Sequence, residues 1–166
     1  MKTMLPILLV ATCAAAAAQG AALDRKDREF IEKAAGGGME EVQAGKLAET
    51  KAGNPEVKAF AAMLVKDHSA NNEELRALAQ RKGVTLPSTL PHDQQEKIDK
   101  MQRAKDFDRS FIKIQGLKDH KEDIKDFEKA SKQAKDPDVK AYAEKTLPVL
   151  RKHWQRAEEL STAIKG

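Results

Sequence analysis

Three histidines, His68, His120 and His153, are the residues of this sequence whose type and position could support chemistry. Each one interrupts a series of aliphatic residues spaced for one face of a helix, where a polar side chain is unusual. Imidazole nitrogens bind zinc, copper and iron, and a carboxylate can complete such a site. With Glu41 as the carboxylate, the sequence predicts a mononuclear site for one zinc, copper or iron ion in a helical core. The aliphatic neighbours of the three histidines, in chain order, are Leu64 and Leu75, Leu117 and Ile124, and Leu150 and Leu160.

A second interpretation gives the same histidines a structural role. Buried and neutral, they would form hydrogen bonds with Glu41, Asp108 or backbone carbonyls and would set the register of an alanine-rich bundle. The sequence favours this interpretation, because none of the histidines has the Asp/Glu-x-x-His or His-x-x-x-His spacing typical of metal ligands. Asp67 and Asp108 are predicted to be outer partners that orient the site. A pairing of Asp108 with a helix end or a basic side chain stays open beside that role.

Other kinds of active site find no support in the sequence. No serine, histidine and aspartate set, glycine-rich phosphate loop or pair of glycosidase carboxylates can be assembled. No catalytic residue and no organic cofactor site is therefore predicted. His92, the fourth histidine, follows Pro91 in a proline-rich connection and is expected to be exposed.

The helices that must position these residues are related by an internal repeat. The segment NPEVKAFA at 54–61 returns as DPDVKAYA at 136–143, and DREFI at 27–31 returns as DRSFI at 108–112. Two copies of a helical hairpin, joined by a long connection, predict an all-α, ferritin-like four-helix bundle. Apolar spacing and capping residues place its helices at 24–52, 55–82, 95–135 and 137–165.

Three irregularities are expected within these helices. The glycines at 36–38 weaken the first helix, and we expect them to let a neighbour approach closely rather than to break it. The third helix is expected to be interrupted around Asp106. Pro148 should kink the fourth helix or restart it after Thr146, because proline lacks an N–H and clashes one turn back.

The first 22 residues are typical of a secretory signal peptide, with Lys2 before an apolar run and small residues at the cleavage site. Residues 23–166 would then form one domain in the periplasm or outside the cell. Cys13 is the single cysteine and lies inside the signal. A lipid anchor through Cys13 is disfavoured, because Thr12 stands where such a signal needs a small residue.

The charge pattern indicates which partners to expect. Lysine and arginine number 30 against 26 acidic residues, and the signs alternate closely, as they do on solvated helix faces. Without a basic block or interleaved aromatic residues, nucleic acid is not an expected partner. No segment after the signal is apolar enough to span a membrane. Envelope components or further copies of the chain remain as partners.

Several segments carry a family resemblance: FIEKAAGGGMEEVQAGKLA, NPEVKAFAAMLVKDHSANNEEL, FDRSFI and LPVLRKHWQRAEEL. In these segments, which with the connection cover nearly all of the mature chain, the sequence resembles the bacterial family called domain of unknown function 4142. The resemblance implies an exported ferritin-like bundle of the kind labelled predicted outer membrane protein, and it implies no mechanism. It also implies that six residues occupy recurring motif positions: Glu41, Asp67, His68, Asp108, His120 and His153.

The chain departs from the di-iron ferritin pattern next to two of the histidines. That pattern needs a glutamate three residues before the histidine on each of two helices. Val65 and Leu150 stand at those positions before His68 and His153, so ferritin-type iron oxidation is not expected. The sequence favours an exported, non-enzymatic envelope or stress-related protein, with a metal-binding bundle as the alternative and a redox enzyme third.

Overall fold

The computed structural model describes residues 23–164, and within this range the chain forms helices and no strand. Six α-helices and one π-helical segment follow one another: α1 (Arg25–Lys51), α2 (Pro55–Arg81), α3 (His92–Gln102), α4 (Phe107–Phe111), the π segment (Ile112–Asp119), α5 (His120–Gln133) and α6 (Pro137–Ala163). The predicted signal peptide at 1–22 lies outside the described residues. Between residues 23 and 164, no helix combines the length and the apolar character needed to cross a membrane.

Four long helices form the bundle, because α4, the π segment and α5 continue into one another as a third long helix at 107–133. α1 packs mainly against α2, and the third long helix packs mainly against α6. The connection between the two hairpins is long and carries α3, which packs against α1. The predicted all-α bundle, built from two helical hairpins with a long crossover, is confirmed.

The repeated segments begin the second helix of each hairpin in the same way. Asn54 and Asp136 each cap a helix whose first residue is proline. Their Oδ1 atoms accept hydrogen bonds from the backbone N–H groups of Glu56 at 2.8 Å and Asp138 at 2.9 Å. A polar cap followed by proline satisfies a free N–H group and presets the first helical turn, which explains why this part of the repeat is kept.

The DREFI and DRSFI segments also make equivalent contacts. Asp27 in α1 accepts hydrogen bonds from the two backbone N–H groups at 135–136, at 3.0 and 2.8 Å. Asp108 in α4 accepts from the two backbone N–H groups at 53–54, at 3.0 and 2.7 Å. Each aspartate therefore holds the tight turn of the other hairpin, and the two hairpins are joined reciprocally.

The third predicted helix is divided in the structure. α3 ends at Gln102 and α4 begins at Phe107, so the predicted interruption around Asp106 is confirmed. Asp106 caps α4, because its Oδ1 accepts the backbone N–H of Arg109 at 2.9 Å. α3 also begins earlier than predicted, at the exposed His92.

The proline and the glycines inside helices do not interrupt them. α6 runs through Pro148, so the helix does not restart after Thr146, and the alternative of a kink at Pro148 stays a prediction. Because Pro148 has no N–H, the carbonyl of Glu144 has no partner within the helix. Both residues are exposed, so water can donate a hydrogen bond to that carbonyl. α1 is also continuous, and the predicted close approach occurs at Gly38, where a Cβ would lie 1.9 Å from Oδ1 of Asn72.

Two apolar clusters fill the bundle, and each takes residues from all four long helices. The first contains Phe60 and Phe111, whose ring centroids lie 6.1 Å apart, and the second contains Phe127 and Tyr142, 5.9 Å apart. Along every long helix, buried polar residues separate the positions of one cluster from those of the other. These residues, which we call the polar layer, are Glu40, Glu41, His68, Gln115, His120 and His153.

Candidate metal centre

The three histidines singled out in the sequence meet in the polar layer. His68 comes from α2, His120 is the first residue of α5, and His153 comes from α6. The ring centroids of His68 and His120 lie 5.5 Å apart, and those of the other two pairs 5.2 Å apart. One nitrogen of each ring lies within 4.8 Å of the others. The repeat and the bundle therefore bring three buried imidazoles to one place.

The carbonyl oxygen of Gln115 determines which nitrogen of His120 faces the other rings. Nδ1 of His120 lies 2.7 Å from that oxygen, and because a carbonyl oxygen can only accept, Nδ1 carries the proton. The neutral ring then presents the lone pair of Nε2. Gln115 lies in the π segment, five residues before His120, so this local widening of the helix is part of the site, as π-helical turns often are.

Asp67 orients His153 in the same way. Nε2 of His153 lies 3.0 Å from Oδ2 of Asp67, and because a carboxylate accepts hydrogen bonds, Nε2 carries the proton. The lone pair of Nδ1 then faces Nε2 of His120 at 3.1 Å. Imidazoles that bind metals commonly donate their outer N–H to a carboxylate or a backbone carbonyl, and both rings have such a partner.

The facing nitrogens of His120 and His153 are therefore two acceptors, and the described part of the chain places no donor between them. These two nitrogens are 3.1 Å apart, and their facing lone pairs repel each other unless a proton or a metal ion lies between them. Burial lowers the pKa of His120 to about 3, with a contribution from His153, and burial also lowers the pKa of His153. A shared proton is thus disfavoured near neutral pH, and a metal ion is the cation that agrees with the geometry.

His68 supplies the third nitrogen. Its Nε2 is buried and has no hydrogen-bond partner among residues 23–164, which costs about 1–3 kcal/mol for a polar atom. Burial and the two neighbouring histidines lower the pKa of His68 well below its ordinary value, so the ring is neutral and can offer a lone pair. A metal ion would give this atom the partner it lacks.

The spacing of the three nitrogens suits one small ion. In a tetrahedral zinc site with bonds of about 2.1 Å, neighbouring ligand nitrogens lie about 3.4 Å apart. The 3.1 Å between His120 and His153 is close to that value, and the whole group lies within 4.8 Å. Small ring movements would therefore bring all three nitrogens to a single ion.

Glu41, the predicted carboxylate ligand, lies on the outer side of His120. Its Oε1 is 3.4 Å from Nδ1 of His120, whereas Nε2 is the nitrogen that faces the other rings. Both carboxyl oxygens are buried without a hydrogen-bond partner in the described chain. Burial raises the pKa of Glu41 well above its ordinary value, and the charge of Asp123 adds to the rise. The geometry gives Glu41 the position of an outer neighbour of His120 and not of a fourth ligand.

The two predicted outer partners have different positions. Asp67 lies against His153, where an outer partner of a ligand would lie. Asp108 does not, because its two oxygens bind the backbone at 53–54. The prediction that Asp108 orients the site is therefore wrong, and its alternative, pairing with a helix end, agrees with the structure.

Sequence reasoning missed the network beside the π segment. Gln115 donates from its side-chain amide to Oε1 of Glu40 at 2.7 Å. The ammonium of Lys97, in α3, lies 2.6 Å from Glu40 and 2.9 Å from Asp119. This network joins α1, α3 and the π segment next to the site. The sequence feature that could have indicated this network is the pair Gln115-Gly116, a polar residue followed by glycine in the middle of a predicted helix.

Comparisons with known proteins give a family and a fold but no activity. The family model described as "Domain of unknown function (DUF4142)" matches residues 12–160. No curated protein matches the chain significantly. Among solved structures, the chain is similar to a DUF305 fragment from Deinococcus radiodurans, with a TM-score of 0.75 and 10% sequence identity, over 86% of this chain and 99% of that one. At this identity the likeness is one of fold alone.

Proposed function

The chain belongs to the DUF4142 family, a domain of unknown function, as the sequence resemblance predicts, and we propose that its bundle binds one transition-metal ion through His68, His120 and His153. The family description assigns no activity, so the proposal rests on the chemistry of the polar layer.

The facing lone pairs of His120 and His153 carry this proposal. Each ring donates its outer N–H to an oxygen, so neither inner nitrogen has a proton to share across 3.1 Å. In the structural interpretation, one inner nitrogen would have to be a donor. That requires a charged imidazole, which burial disfavours, or a neutral ring with its proton on the inner nitrogen, which would give up the outer hydrogen bond to Gln115 or Asp67.

The donor set favours zinc or copper over iron. Three neutral nitrogens without a thiolate suit Zn²⁺ and Cu²⁺, whereas ferritin-type iron sites use several carboxylates. Copper binds a given nitrogen site more tightly than zinc in the Irving–Williams order. The ion carried in the cell then depends on which one is available where the protein acts.

A metal titration tests the proposal. Metal-free protein should bind one Zn²⁺ per chain by calorimetry and by elemental analysis after dialysis, because three ligands meet at one place. Zn²⁺ should also raise the melting temperature, since only the folded chain assembles the three rings. The gain would be about 2.7 kcal/mol when free Zn²⁺ exceeds Kd a hundredfold. A chelator should reverse it.

The fourth histidine provides the matched control. His153→Ala should abolish the response to Zn²⁺ and to chelator, whereas His92→Ala should keep both, because His92 is exposed on α3. Circular dichroism shows whether each variant folds, and His68→Gln replaces His153→Ala if the latter does not. Wild-type protein that melts at one temperature with Zn²⁺, with Cu²⁺ and with chelator would refute metal binding and leave the hydrogen-bonded structural role.

We also propose that the bundle acts in the cell envelope after removal of residues 1–22. The support is the composition of that segment, in which Lys2 precedes an apolar run that ends in alanines. In that compartment the bundle would hold or buffer the ion, and no catalytic step is assigned to it.

A further inference from the structure

We propose that the bound ion keeps one coordination position for a small anionic donor from solvent, and that this donor arrives along a groove between α2 and α6. The inference rests on the metal binding proposed above. The donor belongs to the class of hydroxide, peroxide and azide, which have few non-hydrogen atoms and bind through a negatively charged one.

The ligand count leaves this position open. Within residues 23–164, the histidine, cysteine, aspartate and glutamate side chains that come together as a possible ligand group are the three imidazoles. Asp67 is bound to the outer nitrogen of His153, and Glu41 lies beside the outer nitrogen of His120. A zinc ion takes four ligands, and sites with three protein ligands keep the fourth place for water or another exogenous molecule.

Charge balance favours an anion at that position. The three imidazoles are neutral, so none of the direct ligands offsets the two positive charges of the ion. Apolar clusters lie on both sides of the polar layer, and a buried charge is costly unless it is paired nearby. Asp67 and Glu41 lie beside the outer nitrogens of His153 and His120 and act only through those rings. A negatively charged atom bound directly to the ion would complete the pairing.

A groove between α2 and α6 leads to the rings. It has a volume of about 280 Å³, and His68 and His153 are among the residues that line it. Val149, on the α6 wall, is a large apolar side chain that is 37% exposed. The hydroxyl oxygen of Thr146 lies 3.0 Å from Oδ1 of Asn71 across the groove and 2.9 Å from the carbonyl oxygen of Tyr142 in its own helix. The two walls are therefore in polar contact at this point.

We expect the groove to admit only small molecules to the centre. His68 is 4% exposed and His153 is not exposed, so both rings lie below the surface of the groove. At the rim, the ammonium of Lys145 lies 2.7 Å from Glu74, so these two charges offset each other. The carboxylate of Asp67 also lines the groove, so the charge of the bound ion is what attracts an anion. The low exposure of the two rings favours a donor of two or three atoms over a larger organic ligand.

Cobalt provides the spectroscopic test. The mature protein, residues 23–166, is loaded with Co²⁺ in place of Zn²⁺, and its cobalt content is measured. Azide is then added while the visible spectrum is recorded. The expected result is one Co²⁺ per chain and a saturable change of the spectrum, because azide would replace the solvent ligand. If the protein binds cobalt but its spectrum does not change at saturating azide, the ion keeps no open coordination position and the proposal is wrong.

Variants in the groove test the route. Val149→Trp should slow the azide reaction by about tenfold or more and leave the cobalt content unchanged, because indole would fill the groove and Val149 is not one of the three ligands. Glu144→Trp is the control, since Glu144 is exposed on α6 and does not line the groove. Ala70→Phe, on the opposite wall, replaces Val149→Trp if that variant does not fold.

The outcomes separate this inference from the function on which it rests. If the folded groove variant reacts with azide at the wild-type rate, the donor does not arrive along this groove. The spectral change would then still support an open coordination position. A chain that takes up no cobalt would overturn metal binding itself, and the open position with it, and the metal analysis shows this before azide is added.

Discussion

Burial controls the ionisation of single residues around the polar layer, and Asp123 makes that control measurable. Burial raises the pKa of Asp123 to about 7, and the charges of Asp119, Asp126 and Glu40 raise it, while Lys33 lowers it. An aspartate that holds its proton nearly to neutral pH in the folded chain links stability to pH.

Asp123→Asn should remove part of the pH dependence of stability. The unfolded side chain titrates near 3.8 and the folded one near 7, so over this interval the unfolded chain releases a proton that the folded chain keeps. The contribution of Asp123 to the stability of the wild type is full below pH 3.8 and is lost as the pH rises through about 7. Above that pH the variant should be more stable, by at most about 1.4 kcal/mol for each unit of the shift.

Denaturant unfolding from about pH 4 to about pH 8 measures this difference. Glu122→Gln is the control, because Glu122 is exposed and lies beside Asp123. If Asp123→Asn loses as much stability with rising pH as the wild type does, the half-buried Asp123 is not the cause.

The sequence predicts which residues form the site better than it predicts how they face one another. His68, His120 and His153 stand out because each is polar at a core position, and helical spacing is enough to find them. The nitrogen of His120 that faces Glu41 is not predictable in this way. It depends on the carbonyl of Gln115, which accepts a hydrogen bond from Nδ1–H of His120, and no sequence pattern encodes that contact.

At the scale of helices, the π segment accounts for the largest departure from the predicted pattern. Regular spacing places Ile114 and Leu117 on the core face of the third helix. The structure instead buries Ile112, Gln115 and Gly116 and leaves Ile114 and Leu117 half-buried. A π-helical turn rotates the buried face relative to a regular helix. Hydrophobic periodicity with 3.6 residues per turn therefore cannot anticipate it.

Gly116→Ala should destabilise the bundle, because the new Cβ would lie 2.6 Å from Cβ of Ala157 in α6. Overpacking of this kind costs about 1–3 kcal/mol. Gly37→Ala is the matched control, since its Cβ would have no neighbour closer than 3.8 Å. In the middle of α1 it should stabilise by up to about 1 kcal/mol.

Chemical denaturation of both glycine variants measures the difference. The Zn²⁺ affinity of Gly116→Ala should also fall, because Gly116 follows the residue whose carbonyl orients His120. Equal stability of the two variants would show that the third long helix and α6 can separate at this point without cost.

At the scale of the whole molecule, the repeat is the feature that sequence reasoning captures most fully. The two hairpins, the long crossover and the equivalent caps at Asn54 and Asp136 all follow from repeated segments. The reciprocal bonds from Asp27 and Asp108 to opposite turns do not, since a repeat shows equivalence and not which copy contacts which. The close superposition of the two hairpins stays a prediction.

Export is the prediction that concerns the whole chain. Mature protein from an exporting host should begin between Gln19 and Leu23, because small residues that suit a signal peptidase lie just before this range. Intact-mass measurement of the envelope fraction checks the cut, with a variant lacking residues 1–22 as the control for retention in the cytoplasm. A mass that includes lipid on Cys13 would place the bundle on an anchor instead.

Each apolar cluster draws on all four long helices, so we expect the cooperative units of this bundle to be its two ends and not its two hairpins. Native-state opening follows such units. Amides at one end should therefore exchange with solvent together, across both hairpins, while the other end stays closed. The histidine layer is the boundary between them. An ion bound there would be shared by both ends, and fraying of one end would weaken a ligand set that the other end also needs. Metal occupancy would then decide whether the molecule opens in halves or as one unit.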